Sequence, residues 1–144
     1  MIEVQGLTKL FGSTTALAGV SFSARPGEVV GFLGPNGAGK STTLRILTTF
    51  LTPSGGTARV AGFDVLDHPR EVRRHIGYLP ENPYFYDYLT AREFLNYCGE
   101  LFGQDRATRQ RRTEELLTRV NLEKKSWDRQ LRKFSKGMLQ RVGL

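Results

Sequence analysis

The hydrophobic pattern changes period along the chain. Residues 2–7 alternate apolar with polar positions, which predicts a strand with one wet face, and residues 17–22 predict its antiparallel partner. Arg25-Pro26-Gly27 marks a turn into Val29-Val30-Gly31-Phe32-Leu33, a continuous apolar run of the kind buried on both faces of a parallel sheet. This run predicts the central strand. After a glycine-rich loop, Leu44, Leu47 and Leu51 recur at i, i+3 and i+7, so a helix is expected from near Lys40 to just before Thr52-Pro53-Ser54-Gly55-Gly56. A further strand pair is expected at 56–60 and 76–79, with a short helix between them opening at Pro69, whose fixed φ suits a first helical turn.

From Thr90 onward the period is helical. Thr90 and Glu93 have the spacing of a capping box, and Leu89 and Phe94 that of a hydrophobic staple. Phe94, Tyr97, Cys98 and Leu101 fall on one face, and a second helix carries Leu116, Leu117 and Val120. The expected fold is therefore α/β, with antiparallel strands at the amino end and an all-helical insertion from 82 to 134.

With 144 residues, 39% of them apolar and 16 glycines, the chain has the size and composition of one folded domain, which excludes a long multidomain enzyme. The longest uncharged stretch, from Leu10 to Ala24, is too short and too rich in Ser, Thr and Gly to be expected to cross a bilayer. No basic and apolar leader opens the sequence and its single cysteine offers no internal disulfide, so a cytoplasmic location is expected. The net charge is +7, and the stretch from Arg106 to Lys136 holds eleven bases against four acids. Such a stretch is either a solvated helix face or a surface for nucleic acid or acidic lipid.

Gly34-Pro35-Asn36-Gly37-Ala38-Gly39-Lys40-Ser41 matches the phosphate-binding pattern G-x-x-x-x-G-K-[ST], and Thr42 completes the loop taken as 34–42. Because the loop joins a buried strand to a helix, its backbone N–H groups can converge on an anion at the positive end of the helix dipole. Lys40 is placed to reach β- and γ-phosphates, and the Ser41 hydroxyl to sit on Mg²⁺.

Two later segments narrow the reading. Ile76-Gly77-Tyr78-Leu79-Pro80-Glu81 and Phe134-Ser135-Lys136-Gly137-Met138-Leu139-Gln140-Arg141-Val142, together with the phosphate loop, resemble the nucleotide-binding domain of ABC transporters over the whole chain. Where the family signature reads Leu-Ser-Gly-Gly-Gln followed by Gln-Arg, this chain keeps Ser135, Gly137, Gln140 and Arg141 and departs at Phe134, Lys136 and Met138. This variant is similar to subunits of export-type systems. The resemblance implies a P-loop NTPase core with ATP and Mg²⁺ as cofactors, and an ATP-bound dimer of two ATPase subunits, expected to be identical. A separate membrane permease would hold the subunit on the cytoplasmic face of the membrane.

The resemblance also assigns roles. Ser135, a natural N-cap for a helix starting at Lys136, and Gly137 would face the γ-phosphate of ATP held by the other subunit. Lys136 places a charge where the family has glycine, either strengthening that contact or blocking it. Glu81 stands where the family offers glutamine to Mg²⁺, and is either a direct ligand, with a catalytic role to match, or a solvated surface acid. Phe11 corresponds to an aromatic that stacks on adenine, with packing between the first two strands as its alternative. Cys98, His68, His75 and Trp127 suggest no chemistry beyond packing or surface.

The implied organisation is an ATP-binding core at 1–81, a helical subdomain at 82–134, and the signature with the start of its helix at 135–144. The family's later catalytic acid, second metal aspartate and sensing histidine would lie beyond Leu144. The chain is thus expected to be the first part of an ATPase domain, cut before the end of the core sheet and without turnover on its own. Two alternatives stand beside the exporter: an ABC ATPase acting on nucleic acid or ribosomes, and a small P-loop nucleotide kinase, which would leave residues 135–141 unexplained. Nucleic acid is not the expected partner.

Overall fold

The computed structural model describes all 144 residues and divides them into two units, Met1–Tyr78 and Leu79–Leu144. In the first unit, β1 (Ile2–Phe11) and β2 (Thr14–Ala24) form an antiparallel hairpin. The other edge of β1 pairs antiparallel with β3 (Gly55–Val60), and β3 pairs with a two-residue β4 (Phe63–Asp64), giving the order β2-β1-β3-β4. Two helices accompany this sheet, α1 (Lys40–Leu47) and α2 (Pro69–Arg74). A break in register between Val4 and Leu7, with Gly6 at φ 55°, turns both into the core with Leu17 of β2, Ala58 and Val60 of β3, Ile46 and Leu47 of α1, and Val72 of α2. Gly56 is indispensable there. With φ at 75° it lies against the backbone of Gln5 and Gly6, where a Cβ would collide.

Four sequence expectations are corrected in this unit. Residues 29–33 pair with no strand, and Val29 and Leu33 are 98% and 93% exposed. An apolar run becomes a sheet strand only when a neighbour supplies hydrogen-bond partners along at least one edge, and no strand of the sheet pairs with this run. Only Phe32 keeps an aromatic neighbour, Phe22 of β2, at 5.2 Å between ring centroids. Residues 76–79 likewise form no strand, and β3 takes β1 and β4 as partners instead. Finally, α1 ends at Leu47, and its buried face carries Ile46 and Leu47 whereas Leu44 is half-exposed.

In the second unit α3 (Ala91–Leu101) packs on α4 (Arg106–Arg119), and a third helix, α5 (Lys136–Gly143), follows two short 3-10 turns. The capping box is present: the Glu93 amide donates to Thr90 Oγ1 at 3.1 Å, and the Thr90 amide to the Glu93 carboxylate at 2.8 Å. The core gathers Ala91, Leu117, Leu122, Trp127, Leu131, Phe134 and Val142. Trp127 is buried and donates its indole N–H to the Leu122 carbonyl at 2.8 Å, which settles its role as packing. Arg92 fastens the segment to α3, donating to Asp128 at 2.8 Å and Glu114 at 3.0 Å with its guanidinium over the Trp127 ring. Those hydrogen bonds, to Asp128 first and then Glu114, hold its proton more tightly still. Leu101, expected on the apolar face of α3, is largely exposed.

Candidate functional site

The glycine-rich loop reaches α1 through two residues in left-handed conformation, Gly37 and Gly39, with φ of 85° and 84°. Gly39 is the N-cap of α1 and has no side chain to cap with, so the first-turn amides of Lys40, Ser41 and Thr42 receive no side-chain acceptor. No acid stands in that turn. Thr43, buried, binds the loop from below by donating its amide at 2.8 Å and its hydroxyl at 3.0 Å to the Gly39 carbonyl. The Ala38 amide closes a turn on the Pro35 carbonyl at 3.2 Å. Gly34, Pro35, Asn36, Gly37, Ala38 and Ser41 are exposed, and Gly39, Lys40 and Thr42 are partly so. Lys40 folds back along the loop, its ammonium donating to the carbonyls of Gly34 and Pro35 at 2.6 Å each. The result is a short run of uncapped backbone donors and one cation at the positive end of a helix, an arrangement suited to phosphate oxygens.

Phe11 ends β1, paired with Thr14, and is 51% exposed, so about half of the residue stands outside any packing between the first two strands. Lys9, two residues earlier on the same strand face, places its ammonium 5.1 Å from the ring centroid while donating to the Thr52 carbonyl at 2.7 Å. Lys9 was not singled out from the sequence. The i, i+2 spacing on a strand was the available signal.

In the second unit Ser135 caps α5, its Oγ accepting the Met138 amide at 3.3 Å, and Gly137 has open space around its Cα. Glu81 and Lys136 are both exposed, with the Lys136 ammonium 4.0 Å from the Glu81 carboxylate. Such a loose surface pair contributes little to stability. Ser41 and Glu81 therefore stand on different units, and no three His, Cys, Asp or Glu side chains gather anywhere in the chain. His75 hydrogen-bonds the Glu71 carbonyl at 2.8 Å, and Cys98 is half-buried, its thiol pushed up by that burial. Of the bases of α4, Arg106, Arg111, Arg112 and Arg119 are solvent-exposed, whereas Arg109 is largely covered.

These features correspond to a known family. The sequence model of the ABC transporter family matches residues 17–144, and the chain belongs to that family as an ATP-binding domain. It is 48% identical over 130 residues to an ABC transporter ATP-binding protein of Synechocystis, covering 90% of this chain and 36% of that protein. It is also 42% identical over 143 residues to the daunorubicin/doxorubicin resistance ATP-binding protein DrrA of Streptomyces peucetius, covering 99% and 43% respectively. The fold superposes with a TM-score of 0.86 and 27% identity on the ATP-binding cassette MJ0796 in a dimeric post-hydrolysis state bound to ADP and Pi, covering 99% of this chain and 67% of that one. The chain spans about a third to about half the length of the curated relatives it matches.

Proposed function

We propose that these residues are part of the ATP-binding subunit of a membrane exporter, in which ATP binding and hydrolysis drive a separate permease. The observation that carries this reading is the phosphate loop, which combines uncapped amides at the start of α1 with the Lys40 ammonium laid along the loop. The loop 34–42 would hold the triphosphate and Phe11 would stack on adenine. The Ser41 hydroxyl would hold Mg²⁺, with the exposed carboxylate of Glu81 free to serve as a further ligand or as a catalytic group. When bound, the ion offsets charge on the β- and γ-phosphates.

The open amino end of α5 supports a role for Ser135 and Gly137 toward the γ-phosphate of nucleotide bound by a second copy. Dimerisation is further supported by the dimeric state of the cassette that shares this fold. Export, rather than import, draws its support from the drug-resistance function in the name of the Streptomyces relative. In this reading the core is 1–81, the helical subdomain 82–134 and the signature segment 135–144, and the protein sits on the cytoplasmic face through its permease. Titration with a fluorescent ATP analogue tests the site. Lys40→Ala should abolish binding, because the loop loses its only side-chain charge, and an unchanged affinity would refute the assignment.

A further inference from the structure

The two faces of the Phe11 ring are unlike. The Lys9 ammonium stands over one of them, 5.1 Å from the centroid, and donates to the Thr52 carbonyl at 2.7 Å. Thr52 lies between α1 and β3, in a segment that is itself fastened to β1. There the Ser54 amide donates to the Thr8 carbonyl at 2.9 Å, and the Leu10 amide to Ser54 Oγ at 3.0 Å. The cation is thus tied to a fixed backbone oxygen, where a lysine stem would otherwise move freely. No carboxylate lies within ion-pair reach of it, so its charge is not offset.

An ammonium over an aromatic face is attracted by the negative π density there, and it draws that density toward itself. The opposite face becomes less negative. A nucleobase also presents a negative face, so it stacks on Phe11 with less repulsion when a cation stands behind the ring. The covered face is closed to a base, because entry there would strip the ammonium from both the ring and the Thr52 carbonyl. Phe11 is nevertheless 51% exposed, so ring surface remains away from the cation. A purine brings a larger and more polarisable face than a pyrimidine and gains more from such a platform.

We propose that Lys9 is a positioning residue for the nucleobase: anchored by Thr52, it holds one face of Phe11 so that the base stacks on the other, and it raises the preference for purines. This rests on the reading that Phe11 meets the base. Affinities for ATP, CTP and inorganic triphosphate are measured by displacement of a fluorescent ATP analogue. Lys9→Gln, which can still donate to the Thr52 carbonyl but carries no charge, should weaken ATP about threefold, the size of an exposed cation–π contact, and leave triphosphate unchanged. Its ratio of ATP to CTP affinity should fall as well. Lys9→Arg, which keeps the cation, should restore both, and Lys9→Gln should have no further effect once Phe11 is replaced by alanine. Unchanged ATP affinity in Lys9→Gln, a loss shared by triphosphate, or a loss that persists in the Phe11→Ala background overturns the proposal. If Phe11→Ala keeps the full preference for ATP over triphosphate, the stacking reading fails and the proposal with it. A selective loss in Phe11→Ala without one in Lys9→Gln refutes the role of Lys9 and leaves the stacking reading standing.

Discussion

Gly39 rests against Leu17 with no room for a side chain between them. A Cβ at Gly39 would lie 2.8 Å from the Ala16 carbonyl oxygen and would overlap the Leu17 methyl, and its φ of 84° is disfavoured for any other residue. The start of α1 is thus clamped directly onto β2, and the amides that open that helix inherit the rigidity of the hairpin. Gly37 has a similar φ of 85° but open space around it.

The two glycines therefore separate packing from backbone strain. Gly37→Ala should cost the order of 1 kcal/mol from conformation alone, whereas Gly39→Ala should cost roughly 2 to 3 kcal/mol by adding overlap with Leu17 and the Ala16 carbonyl. Urea unfolding of the two variants measures the difference. Equal midpoints would mean that the clamp on β2 yields freely.

Phe11→Ala should weaken ATP binding by about 1 to 3 kcal/mol if the exposed ring stacks on adenine. Binding of inorganic triphosphate, which has no base, should be unaffected. Equal losses for both ligands would show that Phe11 supports the hairpin instead. Lys9→Met should have a smaller effect in the same direction, through loss of the cation held 5.1 Å from the ring.

Residues 29–33 present apolar side chains and unpaired backbone together, a combination that invites strand addition from another molecule. The chain should self-associate with rising concentration, and Val29→Lys combined with Leu33→Thr should suppress it. Sedimentation velocity gives the result. Identical association in the doubly substituted chain would place the contact elsewhere.

Asp105 caps α4, and its carboxylate is held below the usual range, first by the hydrogen bond from the Thr108 hydroxyl at 2.6 Å and then by the Thr108 amide at 3.0 Å. A depressed carboxylate stabilises the folded state fully above its unfolded pKa of about 3.9 and loses that contribution as pH falls through the folded value. The Thr108 amide resonance should therefore shift in acid only below about pH 4. Asp105→Asn, which caps without titrating, should flatten that transition, and a Thr108 shift centred above pH 5 would contradict the assignment.

Local signals in the sequence survived into the structure where they needed no distant partner. Thr90 with Glu93, Pro69 at the first turn of α2, Ser135 as a cap and the phosphate loop between 34 and 42 are each defined by neighbours within a few residues. Strands depend on distant partners, so residues 29–33 and 76–79 kept their extended composition and found no ladder, while β4, two residues long, left no periodicity to read. On α1 the spacing of Leu44, Leu47 and Leu51 matched a helix, yet the left-handed Thr49 at φ 63° turned the chain before Leu51 could continue it. The phosphate loop could be recognised by type and order, but the clamp of Gly39 on Leu17 joins two elements that spacing alone does not bring together.

The cap at Ser135 determines more than where α5 begins. Its oxygen accepts the Met138 amide at 3.3 Å, which leaves the hydroxyl hydrogen unspent and available to an acceptor near the helix's amino end. Capping thus uses the acceptor side of the serine and leaves its donor side unspent. Aspartate would cap α5 equally well and offer only negative charge there, so the two caps differ in the donor that serine alone leaves at the amino end of the helix.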